Sequence, residues 1–598
     1  MSIAVTTRSF DGCRSGSNLA ETVLTRAAVR QRGLVRVARL PLPGDARGSE
    51  GMSLIIPGRT MADGEAHDLL IQATMGNDVF CFDAASLVLL WEQRIGDPIP
   101  GTRRMDMYLI NDHWGILGTP VINPRTGTIH LVCMTAPGGD FDRSSFRLHS
   151  LSPIDGSAAL PALDLTAASY QPPGGLPLQR MGTVPRKQRC GLAISADGAI
   201  VYVANGSFNE DADTNQGWLI ACDVSVDPPS LDATFTTTSR YSGGGVWMGG
   251  QAPVIEPLGG DILMTVGNGA FDGITDWGES VIRLRQERAS GGLPGSLAVI
   301  DHFTPYTDTG RVAGTRFQTL PDTSLIPGSA GGRGGTSNMD SARDEDLNSG
   351  GPLLVTRQMS GLSRNIVIVA GKDGIGYFID ADRMGAPQLA DFAPDRIQAQ
   401  VYGRLLVPPY WLTYYNPDAD AAPTDLSTIP TTYLQRTHHM HGTCVFYRSP
   451  MHGPMIFCMG ENANLRAYAL SEADGQLAVS YLGCSVEYAS PETPPPGGMP
   501  GGMMTLSANA GEAGTALLHV VFPYGNANKA ITAGRYVVYD PEDFGRFDDG
   551  SGWVRKIWDS GDWNIRFMHN KFNVPMAANG RVYLPTYDGT VDVYELTP

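Results

Sequence analysis

Asp78-Val79-Phe80-Cys81-Phe82-Asp83-Ala84, running on to Leu90-Trp91, is the stretch whose reading decides the fold. A short run of β-formers closes on Asp-Ala, and a second short run carries a tryptophan. Tyr536-Val537-Val538-Tyr539-Asp540-Pro541, running on to Ile557-Trp558-Asp559, repeats the phrase near the other end. Between them the pattern recurs loosely, about eight times in all. Each copy has two alternating strands on a tight Gly/Asn/Asp turn, then the Asp-ended strand, then an outer strand. One four-stranded unit cannot bury its own faces, so repetition at this scale calls for units packed around a common axis.

Working outward, the first copy opens at Met52-Ser53-Leu54-Ile55-Ile56 and the second at Gly118-Thr119-Pro120-Val121-Ile122. The third turns at Asp197-Gly198, a hairpin signal because a type I′ turn needs positive φ at both central residues. Later copies open at Gln251-Ala252-Pro253, Gly350-Gly351-Pro352, His441-Gly442-Thr443 and Met503-Met504-Thr505. The last, from Asn573-Val574-Pro575 to Val591-Asp592-Val593-Tyr594, ends one strand short. Leu34 to Leu40 supplies the missing strand. The expected fold is therefore all-β: one eight-bladed β-propeller of four-stranded antiparallel blades over residues 1–598, closed by pairing its N-terminal and C-terminal strands. Residues 1–33 form an N-terminal arm and 34–40 the closing strand. Stretches 323–350, 391–437 and 484–502 break the rhythm as long loops over one mouth of the channel. An open β-solenoid or a stack of sandwiches is the competing arrangement.

Composition agrees with a large packed core: 42% hydrophobic and 18% charged residues, with 72 Gly and 42 Pro for the turns. A formal charge of −17 without a basic tract argues against nucleic acid and anionic membrane as partners. No apolar run approaches the ~20 residues that span a bilayer. The opening MSIAVTTRSFDGC lacks the order of a secretory signal. The expectation is a soluble, cytoplasmic chain, or a secreted one if a leader has been removed; the oligomeric state stays open. The eight cysteines include no CxxC and no CxxCH, so zinc-ribbon and covalent-haem motifs are missing, and reduced buried thiols are expected.

Phe82-Asp83-Ala84-Ala85-Ser86 with Leu90-Trp91 resembles the tryptophan-docking repeat of the quinoprotein-like propellers, the family type of the pyrroloquinoline-quinone (PQQ)-dependent dehydrogenases. Gly244-Gly245-Val246-Trp247, Asp346-Leu347-Asn348-Ser349-Gly350-Gly351 and His441-Gly442-Thr443 carry the same resemblance, which spans nearly the whole chain. It implies an eight-bladed propeller with a site at the axis and alcohol-oxidising chemistry. In those alcohol dehydrogenases two adjacent cysteines form a disulfide over one face of the quinone. No two cysteines are adjacent here, which weighs against PQQ.

Residues just before the innermost strand of each blade converge on the axis from the whole ring. At those positions stand His113-Trp114, Arg189, Trp247 to Gln251, Asp344, Asp346 and Asn348, His438, His439 and His441, Met499 to Met503, and His569 to Lys571. As candidate metal ligands we take His113, His438, His439, His441 and His569, with Asp346 as an oxygen donor; copper, iron, zinc or calcium are the candidate ions. His441, Asp346, Lys571 and Arg189 are the candidate catalytic residues, with the two cations as anion clamps or, alternatively, ion-paired to Asp344 or Asp346. Trp247, Gln251 and Asn348 are the candidate cofactor contacts. The motifs around Gly267-Asn268-Gly269 and Gly371-Lys372-Asp373-Gly374 read as hairpin turns, since no helix follows them. Three functions fit this ring: an oxidoreductase on a small alcohol-type substrate using a metal or quinone, a non-redox lyase, isomerase or hydrolase, and a protein-binding scaffold.

Overall fold

The strands pair as successive antiparallel meanders. In the first blade Leu54–Thr60, Ala66–Ala73, Asp78–Asp83 and Leu89–Arg94 follow one another outward. The same order holds for the second blade (Val121–Ile122 to Ala158–Asp164), the third (Ala193–Ile194 to Ser230–Thr236) and the fourth (Val254–Ile255 to Ser296–Phe303). The fifth blade runs from Leu353–Val355 to Val401–Leu406. The sixth (Val445–Ser449 to Gln476–Tyr488) and the seventh (Met503–Ser507 to Gly552–Asp559) join through the parallel pair Cys484 and Trp553. This computed structural model describes residues 2–44, 48–101, 110, 112–182, 186–207, 216–241, 243–304, 306–307, 310–311, 346–372, 375–385, 401–406, 439–473, 476–493, 498–546 and 552–598.

Closure occurs as expected. Leu34–Pro41 lies antiparallel on Thr590–Leu596, with Leu34 opposite Leu596 and Pro41 opposite Thr590, and so becomes the outer strand of the last blade. The docking tryptophan also behaves as its pattern implies. Trp91 donates its indole N–H to the Pro153 carbonyl of the next blade at 3.0 Å and covers Gly156, where a Cβ would lie 2.7 Å from the ring. Trp558 packs with Tyr536 and with Tyr594 of the closing blade. All eight cysteines are buried and unbridged. Among the described residues, no helix is long and apolar enough to cross a membrane.

Two loop boundaries need correction. Inside 391–437, Val401–Leu406 pairs with Ile375–Asp380 as an outer strand. Residues 484–488 likewise belong to the strand Gln476–Tyr488. The stretch 323–345 and the rest of 391–437 lie outside the described residues.

The N-terminal arm is more than a leader to the closing strand. Between Val5 and Asn18 it meets the innermost strands of seven blades in turn. Val5 N–H donates to Ile55, and Thr6 O accepts from Ile122. Gly12 O accepts from Ile255, Cys13 O from Leu354, Ser15 O from Phe446 and Gly16 O from Leu506. Asn18 then donates to the Ala577 carbonyl. The inner edge of each of these strands would otherwise leave buried backbone groups without partners. The arm can serve them all because it is tightly coiled: Ser9, Phe10 and Arg14 have φ of 60°, 72° and 64°. Arg14, almost fully buried, holds that coil. Its Nε and Nη2 donate to Pro253 O at 2.9 and 2.7 Å, and its Nη1 donates to Thr7 Oγ1, Arg8 O and Asp11 O.

Two outcomes follow. Arg14→Met strips several buried carbonyls of their donor at once, and should lower the unfolding free energy by about 3 kcal/mol or more in urea titration; an unchanged midpoint would show that the arm is not a structural pin. Separately, burial holds His130 and His302 down to about 4 and His519 down to about 3, from 6.5. The unfolded chain therefore takes up protons that the native protein refuses as pH falls from 6.5 towards 4, and stability should drop across that window. Urea midpoints measured from pH 7 to pH 4 test this, and a flat profile would contradict it.

Candidate functional site

The sharpest cluster is built on His439-Met440-His441, an extended segment entering the sixth blade. Alternate residues of an extended chain share a face, so both imidazoles point one way while Met440 points the other and is buried. Met440 N–H donates to Gly371 O, and its carbonyl accepts from the Ser349 hydroxyl, which locks the segment to the fifth blade. Glu461 arrives from the turn after Gly453–Cys458, where Asn462 has φ of 47°. Its backbone N–H donates to His439 O at 2.9 Å, which sets its carboxylate against both rings.

Glu461 Oε1 lies 2.9 Å from His441 Nε2 and 3.6 Å from His439 Nδ1. His441 Nε2 is nevertheless without an in-line hydrogen bond, so the carboxylate sits to the side of the ring N–H direction. The three ligand atoms lie within 4.8 Å of one another. Donors about 2.1 Å from one ion stand roughly 3.0–3.5 Å apart, close to the 2.9 and 3.6 Å between Glu461 Oε1 and the two ring nitrogens. Burial lowers the His441 pKa to about 4, against the opposing pull of Glu461. Burial pushes the Glu461 carboxyl up, but the adjacent His439 and His441 side chains outweigh it and hold it well below the usual carboxylate range. Near neutrality the site thus presents a neutral His441 imidazole and an ionised carboxylate, the protonation states that metal binding requires.

Beside this cluster lies a wall of cations and aromatic rings. His441 is 6.4 Å from the Phe572 ring, which Arg189 covers at 4.7 Å and Lys571 at 5.1 Å. Arg189 also lies 5.9 Å from the Trp114 ring, and Lys187 lies 5.5 Å from Trp114 and 5.8 Å from Trp247. Trp247 rests against Gly245, where no Cβ has room. Residues from the second, third, fourth, sixth and last blades therefore share one contiguous surface at the axis.

The remaining expected residues have other partners. Arg189 pairs with Glu50 at 2.8 Å, both side chains buried, rather than with Asp346; Asp344 lies outside the described residues. Asp346 accepts from Asn268 N–H at 2.8 Å and pairs with Lys372 at 2.6 Å, so its charge is met within the fold. Asn348 donates to Gly245 O, and Gln251 exchanges hydrogen bonds with Ser9 of the arm. Lys571 donates to Asn528 Oδ1 at 3.1 Å. His113 sits in the short hairpin of Ile99–Pro100 with His113–Trp114, and the buried His569 lies beside Lys571; neither joins the His439–His441–Glu461 group. His438 lies outside the described residues.

Sequence reasoning missed Glu461, Lys372, Glu50 and Lys187. The positions before each first strand face the mouth, but so do the turns after each second strand, where Glu461 and Lys372 stand. Lys372 sits in the Gly371-Lys372-Asp373-Gly374 turn. The first rule applied to the first blade would also have returned Glu50.

No family model matches the sequence, and no curated protein matches it significantly. Solved structures are similar in fold. The quinohemoprotein alcohol dehydrogenase of Comamonas testosteroni aligns over 99% of this chain and 80% of its own, with 11% identity and a TM-score of 0.48. BamB of Moraxella catarrhalis aligns over 94% and 99%, with 10% identity and a TM-score of 0.44. A europium-containing methanol dehydrogenase aligns over 97% and 81%, with 11% identity and a TM-score of 0.43.

The Asp346–Lys372 pair yields a direct test. Lys372→Met takes the counter-charge from a buried carboxylate and should cost about 3–5 kcal/mol, most of it recovered in Lys372→Met/Asp346→Asn. A urea-unfolding double-mutant cycle measures this; if the double variant is no more stable than Lys372→Met, Asp346 is not a structural partner of Lys372.

Proposed function

We propose that the chain is an enzyme whose reaction centre is the axial mouth, with a transition metal held by His439, His441 and Glu461, acting as an oxidoreductase on a small alcohol-type substrate. The observation that carries this reading is the convergence of two imidazoles and one carboxylate at ligand spacing beside the Arg189, Lys187 and Lys571 wall. Two histidines and a carboxylate with open positions suit iron in particular, while imidazole also suits copper and zinc. Calcium, which takes six to eight oxygen donors, suits this set poorly.

The quinone implied by the resemblance fits these residues poorly. All eight cysteines are single and unbridged, so the disulfide face is missing. Gln251 and Asn348, the expected polar contacts, are turned to Ser9 and Gly245.

A bound transition metal would supply Lewis-acid or one-electron chemistry. The chain's own residues do the rest. Met440 and the Glu461 backbone fix the directions of the three donors. Arg189, Lys187 and Lys571 orient a polar or anionic substrate, and the Trp114, Trp247 and Phe572 rings exclude water from its carbon skeleton. A second reading has its own support: a neutral imidazole and an ionised carboxylate 2.9 Å apart are each a candidate general base for non-redox chemistry.

Metal analysis of the purified protein, with titration by Fe(II), Cu(II) and Zn(II), separates the two. The oxidoreductase reading expects one tightly bound ion per chain. It also expects affinity to fall by about tenfold or more in His441→Ala and in Glu461→Gln, with alcohol oxidation against an artificial electron acceptor lost in both. Wild-type protein that takes up none of the three ions would remove this reading and leave the acid–base one. If the variants match wild type in every binding and turnover assay, the site is not catalytic and a scaffold role gains.

A further inference from the structure

Arg8, on the N-terminal arm, and Arg189, before the third blade, meet at Phe572. Arg8 Nη2 donates to the Phe572 carbonyl at 2.8 Å, while Arg189 lies on its ring at 4.7 Å. Phe572 has φ of 63°, a conformation a bulky residue adopts at a cost of about 1–3 kcal/mol and one that recurs at functional sites. Both arginines are buried, at 2% and 3% exposure. Glu50 satisfies Arg189 Nε, and its charge also favours the Arg8 guanidinium, which burial brings down to about 10. Among the described residues, Nε and Nη1 of Arg8 and Nη2 of Arg189 are buried and have no hydrogen-bond partner.

Arg14, a few residues away, shows what a structural arginine looks like in this arm: its Nε, Nη1 and Nη2 all donate to protein oxygens. The Arg8 pair is built differently. Among the described residues, Glu50 is the carboxylate that faces these two guanidiniums, and the ammonium of Lys571, on the same Phe572 ring, adds positive charge. A buried positive charge without a counter-ion is costly, and donors of this kind match an oxyanion.

We propose that Arg8 and Arg189 form a small-oxyanion site on the propeller axis, so that the N-terminal arm is a binding element as well as a plug. The ligand is a carboxylate-bearing or phosphate-bearing small molecule whose anionic group is gripped by both guanidiniums. The site deepens the proposed function, since it shares Arg189 and Phe572 with the wall beside His441, but oxyanion binding does not need the metal.

The test uses the full chain, stripped of metal on a chelating resin, at low ionic strength, titrated calorimetrically with malonate, inorganic phosphate and, as control, chloride. At least one oxyanion should bind saturably and raise Tm while chloride at equal ionic strength does not. Malonate against phosphate tells which oxyanion the site prefers. Arg8→Lys and Arg189→Gln should each weaken binding by about tenfold or more. In oxyanion-free buffer Arg8→Met should match or exceed the wild-type Tm, because it removes an unmet buried charge, and should lose the oxyanion-dependent rise. The proposal is overturned if neither oxyanion binds wild type saturably, if the substitutions leave binding unchanged, or if Arg8→Met lowers Tm as far as Arg14→Met does.

Discussion

The structure depends on backbone hydrogen bonding across the axis. A propeller leaves the inner edge of every innermost strand facing a narrow shaft, where an unmet N–H or C=O is costly. Here one coiled segment, Val5 to Asn18, meets the inner strands of seven blades and pins them to a common centre. The pairing of Leu34–Pro41 with Thr590–Leu596 then closes the ring from outside. Residues hundreds of positions apart face one another at the mouth because both fastenings are in place.

Around that centre the buried charges differ in how they are met. Asp346 with Lys372 is an ion pair within the fifth blade, and Arg189 with Glu50 joins the approaches to the third and first blades. Such pairs contribute less to net stability than their distances suggest, since desolvation offsets much of the attraction; what they contribute is register. The His439–His441–Glu461 group and the Arg8–Arg189 pair are different, because each gathers donors or acceptors of one type that the protein itself does not complete. Clusters of incompletely partnered buried polar groups are where ligands are held.

Much of this was legible in the chain. The period of the β-forming runs, the Asp-ended third strand and the placement of Trp91 specified the blades, and the short last repeat pointed to Leu34–Leu40 as the closing strand. His439 and His441 were legible because their alternate spacing puts two imidazoles on one face ahead of an inner strand. Their carboxylate partner was not, because Glu461 lies in a Gly-Glu-Asn turn that reads like any other hairpin. Val401–Leu406 was hidden inside an aromatic, proline-rich stretch that breaks the repeat. The arm was hidden more deeply: Arg8 to Arg14 has no periodicity, and its left-handed Ser9 and Arg14 are held by hydrogen bonds to Gln251 and Pro253, far along the chain.

Local pattern alone therefore determined the strand content, the repeat and the closure, because alternation and turn chemistry act over a few neighbouring residues. Tertiary structure decided which charges pair, which histidines share a partner, and that an arginine from the first ten residues reaches the axis. Those outcomes depend on distances across the shaft, and such distances exist only once the ring has closed.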